Sequence, residues 1–67
     1  MAVARTTEIV AGSPDSFKAA MKTGIARATN TLDKVTGAWI QDQEIVIDDG
    51  KIVEYRVRMK VTFVLKD

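Results

Sequence analysis

Trp39 is the single tryptophan in the chain, and the residues around it are the ones best suited to recognising a ligand. In extended backbone Gln41 lies on its side of the strand, and the hairpin pairing derived below adds Arg58 and Lys60. An aromatic plane beside an amide and two cations can stack and orient a planar ring. The same set would serve a base of single-stranded nucleic acid. It also describes a plain Trp39–Lys60 cation–π contact at a subunit interface.

Asp42 and Glu44 form a second group. Two carboxylates two residues apart on a strand could act as an acid–base pair, or as ligands for a hard cation such as calcium or magnesium. Asp48 and Asp49 are acidic too, but Asp in a tight turn is ordinarily turn chemistry. Ser13 and Ser16 stand at a helix start, where capping accounts for them. The chain has neither histidine nor cysteine. That removes nucleophilic triads, thiolate sites, disulfides and the commonest zinc ligand. The residues describe a binding protein and not an enzyme.

These groups are positioned by two long strands. From Val53 to Leu65 every second residue is apolar, and most of those between are charged or polar. Such alternation marks a strand with one buried and one wet face. Ile52 to Leu65 would extend about 46 Å, whereas a compact chain of this length is only about 28 Å across. The strand must therefore curve around something or run on into a neighbouring subunit. Ala38–Ile47 reads as its partner, joined through a two-residue type I′ turn at Asp49-Gly50. That turn makes opposed residues sum to 99. Asp42 then faces Val57 on the side that holds the helix, beside Ile40–Met59 and Glu44–Tyr55. Trp39–Lys60, Gln41–Arg58 and Gln43–Arg56 occupy the other face.

Upstream, Val3–Ala11 reads as a first strand ending at Gly12. Ser13-Pro14-Asp15 then reads as a helix start, with Ser13 as cap and Pro14 in the first position. Phe17, Met21, Gly24, Ile25, Ala28 and Leu32 recur at helical spacing and form one apolar stripe. The fold class is α+β: a three-stranded antiparallel sheet wrapped around one helix in β-α-β-β order, as one domain over residues 1–67.

Sixty-seven residues bury a small core, and disulfides are excluded, so self-association is the expected source of extra stability. A net charge of +1 argues against a nucleic-acid binder. No stretch has signal-peptide or membrane-spanning character, so neither a membrane nor a nucleic acid is expected as partner, and a cytoplasmic location is.

The segments EIVAGSPDSFKAA, IARA and YRVRMKVTFVL, in this order over essentially the whole chain, resemble the dodecins, small flavin-binding proteins of bacteria and archaea. The resemblance implies a hollow homododecamer of β-α-β-β subunits that stores or buffers flavin without catalysis. The flavin (riboflavin, FMN or FAD) would be held in pairs between subunits and stacked on tryptophan. The stacking tryptophan of that family falls on Gly37 here, with Trp39 in the place of an acid. The flavin-bonding glutamine falls on Arg56. Some dodecin-like proteins have lost this Trp and Gln, and one branch of them is described as binding calcium; this chain resembles that subset. The candidate ligand-binding residues are therefore Trp39, Gln41, Arg56 and Arg58, with Asp42 as the candidate metal ligand.

Overall fold

A computed structural model describes residues 3–32 and 34–65. Its elements are β1 (Ala4–Ser13), α1 (Phe17–Thr31), β2 (Val35–Asp48) and β3 (Lys51–Val64), the expected β-α-β-β order. The three strands form one antiparallel sheet in the order β1-β3-β2. The alternating strand β3 is thus the central one, bonded on both edges.

Its apolar side is the core. Val57 and Met59 are buried against Ala20 of α1, with Ile9, Ala11, Phe17, Met21 and Ile25 packed around them, and Val61 and Ala28 are buried as well. The helix comes close because its contact side carries small residues. A Cβ on Gly24 would lie 2.7 Å from Met59 Cε and 2.9 Å from Ala11 Cβ. Phe17 meets Tyr55 edge-on, with ring centroids 5.1 Å apart. That contact marks the end of the helix-covered sheet, because Phe17 is the first residue of α1.

The helix begins later than the sequence suggests. β1 continues through Gly12 to Ser13, which pairs with Tyr55, so Ser13 cannot also cap a helix. It is buried, and its Oγ accepts from the Asp15 amide at 3.0 Å, closing the turn. Ser16 is the cap: it is extended, and its Oγ accepts from the Ala19 amide at 3.0 Å. Pro14 therefore lies in the turn and not in the first helical position.

The Asp49-Gly50 turn forms as expected, with φ of 52° and 73° at its two residues, the left-handed pair a type I′ turn requires. The register it imposes holds beside the turn and again from Ile40 to Gly37, fails between these stretches, and shifts once more beyond Gly37, where Val35 pairs with Phe63. Ile47–Ile52, Ile40–Met59, Trp39–Lys60, Ala38–Val61 and Gly37–Thr62 pair as predicted. Between Ile40 and Asp42 a bulge leaves Gln41 without a partner on β3, and near the turn Val53 is the extra residue on the other strand. Everything between those two points slides by one position. Asp42 stands opposite Arg58, Gln43 opposite Val57, Glu44 opposite Arg56 and Ile45 opposite Tyr55. A one-residue slip exchanges faces, so Asp42 and Glu44 leave the helix side, where a carboxylate against buried Val57 would lose its water without a partner.

The molecule is elongated, measuring 51 × 19 × 13 Å with a radius of gyration of 13.8 Å, not a globule about 28 Å across. The long hairpin sets that length. Past Tyr55 it extends beyond α1, and Ile45, Ile47, Ile52 and Val53 on the projecting part are all exposed. Among the described residues no helix is long and apolar enough to cross a membrane.

Candidate functional site

The sheet face turned away from α1 carries the chemistry. Partners across an antiparallel pair point to the same side, so the two registers through β3 define rows. Thr6–Thr62–Gly37 is followed by Glu8–Lys60–Trp39, then Val10–Arg58–Asp42, then Gly12–Arg56–Glu44. Small residues lie at one end and charges at the other, with the tryptophan between them.

Trp39 is 49% exposed and sits in the row with Lys60. Beside it, two residues along the same face, Gly37 leaves a gap: no atom lies within 4 Å of where a Cβ would stand. An open aromatic plane thus borders an open notch about 6.6 Å away along the strand. The structure keeps Trp39 and Gly37 on one face because the bulge begins only after Ile40. Gln41, in that bulge, is exposed and has no cross-strand partner.

The two arginines are engaged within the protomer. Arg58 Nη1 donates to both carboxylate oxygens of Asp42, at 2.9 and 3.0 Å. Arg56 donates through Nε to Glu54 Oε1 at 2.9 Å, and its Nη1 lies 3.7 Å from Glu44 Oε1. These groups are each more than a third exposed, so the pairs hold orientation more than they add stability. Among the described residues no three acidic side chains come together as a cation site. Asp42 and Glu44 do share the outer face, each opposite an arginine.

Glu54 and Gly12 also belong to this face, and the sequence alone does not bring them to it. A Cβ on Gly12 would lie 2.6 Å from Glu54 Oε1, so the absent side chain leaves the space in which the carboxylate meets Arg56. Gly12 stands opposite Arg56, a pairing that the β1–β3 register alone sets.

A profile of the dodecin family matches residues 3–66. The chain belongs to the dodecin family. The dodecin from Streptomyces davaonensis superposes with a TM-score of 0.94 at 33% identity, over 98% of this chain and 97% of that one. The calcium dodecin of Mycobacterium tuberculosis is 26% identical over 66 residues, covering 98% of this chain and 93% of the relative. A crystal structure of the M. tuberculosis calcium dodecin, described as a calcium-chelating antigen with a novel calcium-binding site, superposes with a TM-score of 0.85. It is 25% identical, over 96% of this chain and 91% of that one.

Proposed function

We propose that this dodecin is a binding protein and not a catalyst, that it assembles as a homododecamer, and that it holds flavin between subunits with Trp39 as the stacking plane. The observation that carries this reading is the half-exposed Trp39 beside the vacant space at Gly37. The family's usual tryptophan position is empty, and an indole two residues away on the same face supplies a plane in its stead. Gln41 offers an unpartnered amide at the edge of that plane. Arg58 lines it from the next row, already neutralised by Asp42. Arg56 lies six rungs from Gly37, about 20 Å along the strand, so it reaches a ligand at Gly37 only from another subunit.

Self-assembly is supported by the balance of apolar surface. Among the described residues nine large hydrophobic ones are exposed, Val10, Trp39, Ile45, Ile47 and Ile52 included, while five hydrophobic residues are buried. Exposed apolar surface on this scale in so small a chain calls for cover.

A second reading is a shell that binds calcium, favoured by similarity to the M. tuberculosis calcium dodecin. Calcium takes six to eight oxygens, so Asp42 would have to join acidic groups from other subunits and give up its bond to Arg58. Riboflavin titration followed by fluorescence quenching separates the two readings. Saturable quenching by the wild-type assembly, lost in Trp39→Ala, supports flavin. No quenching, together with a melting temperature raised by calcium in the wild type and not in Asp42→Ala, supports the cation.

A further inference from the structure

One hydroxyl on the outer face borders the open space at Gly37. Thr62 stands directly opposite Gly37 across β2–β3, and Thr6 stands opposite Thr62 on its other side. Directly opposed residues have Cβ atoms about 4.5–5.5 Å apart, which agrees with a Gly37 Cβ position that no atom approaches within 4 Å. Thr62 is therefore the far wall of the notch, with Trp39 diagonal to it at about 7–8 Å. Thr6 is one strand further on, about 10 Å from Gly37, which leaves Thr62 as the hydroxyl within reach. Thr62 is half-buried. Among the described residues its hydroxyl makes no hydrogen bond to backbone or side chain. Its proton and both lone pairs are thus free for a ligand.

We propose that Thr62 orients the ligand: its hydroxyl donates a hydrogen bond to a carbonyl on the edge of the planar ring stacked on Trp39. The proposal rests on the flavin reading above and names the edge of the flavin that enters the notch. One end of the flavin ring system is a hydrocarbon ring, and the other is a pyrimidine ring bearing two carbonyls. Only the second can satisfy the Thr62 hydroxyl, and covering that hydroxyl with hydrocarbon would cost its hydration without return. The other polar groups of the face are less well placed. Arg58 is held by Asp42, and Arg56 by Glu54 and Glu44, so either guanidinium would have to break an ion pair first. Lys60 lies in the row of Trp39 itself, and Gln41 lies on the side of Trp39 away from the notch. The absence of a side chain at Gly37 is what lets a ring edge reach from β2 across to β3. Trp39 sets the plane of the ring, and Thr62 sets its rotation within that plane.

The test compares the wild type with Thr62→Val, which keeps the shape and removes the hydroxyl, and Thr62→Ser, which keeps the hydroxyl. Native mass spectrometry verifies that each variant has the mass of the wild-type assembly. If Thr62→Val does not assemble, Thr62→Ala is read in its place. In riboflavin titrations followed by quenching, Thr62→Val should bind roughly 2- to 13-fold more weakly, as for the loss of one hydrogen bond between neutral groups. Thr62→Ser should bind nearly as the wild type does. Infrared difference spectra of the bound riboflavin report the bond directly, because an accepted hydrogen bond lowers a carbonyl stretching band. That band should lie higher in Thr62→Val than in the wild type and Thr62→Ser. Unchanged affinity and unmoved carbonyl bands in Thr62→Val overturn the role of Thr62 while leaving flavin on Trp39. Equal weakening in Thr62→Val and Thr62→Ser with unmoved bands overturns it too, since it marks packing and not a hydrogen bond. No quenching by the wild-type assembly overturns the flavin reading, and the role of Thr62 with it.

Discussion

Asp42 faces Arg58 and not Val57: one Nη1 of the arginine donates to both oxygens of the carboxylate, at 2.9 and 3.0 Å. Two extra residues make the difference: Val53 near the turn opens the slip and Gln41 closes it. The pair is about half exposed on the acidic side, so Asp42→Ala should cost only about 0.2–1 kcal/mol in urea unfolding. The loss should shrink further in 1 M salt, where exposed charges are screened. A cost of several kcal/mol at any salt concentration would instead mark Asp42 as buried in the assembly.

The Trp39 plane and the Gly37 gap make a paired prediction. Stacking of a planar ring on an aromatic side chain is worth about 1–3 kcal/mol by alanine substitution. Trp39→Ala should thus weaken riboflavin binding by roughly 5- to 150-fold in a quenching titration. Gly37→Trp meets no atom within 4 Å at its Cβ, so the protein should fold with it unchanged. Added to Trp39→Ala, it should restore binding by returning the indole to the position the family uses. Failure of the double variant to bind, with its mass unaltered, would leave flavin without a stacking plane on this face.

Gly24→Ala tests the close approach of helix and sheet. Helix propensity alone favours alanine by about 1 kcal/mol. The added methyl, however, would stand 2.9 Å from Ala11 Cβ, which cannot swing aside, and 2.7 Å from Met59 Cε, which can. Overpacking of this kind costs about 1–3 kcal/mol. The net change should be a lower melting temperature. Shortening Met59 to alanine destabilises by about 2–5 kcal/mol on its own. Because the two changes share one space, Gly24→Ala should cost less in that background than in the wild type.

The turn gives a cleaner backbone test. Gly50 has φ of 73° and open space around it, so Gly50→Ala meets no clash and pays only for the left-handed conformation. That is roughly 1–2 kcal/mol. Asp49→Gly, at φ of 52°, should be close to neutral by the same measurement, since glycine adopts that region freely.

What the sequence determined alone follows from local chemistry. The alternation from Val53 to Leu65 requires a strand, Asp49-Gly50 requires a type I′ turn, and the helical recurrence from Phe17 to Ala28 requires a helix with one packed side. Together with the family resemblance, these yielded the element order and left Trp39 and Gly37 on one face. The tertiary structure decided what counting residues cannot. Bulges at Gln41 and Val53 have no composition signature, because the gain from moving Asp42 and Glu44 opposite Arg58 and Arg56 arises only between strands. The cap passed from Ser13 to Ser16 because β1 pairs with β3 as far as Ser13, a long-range contact. Trp39 was legible as a binding residue from its type alone. The notch beside it, and the arginines already matched by acids, depend on side chains from three strands meeting on one face, which only the folded chain brings about.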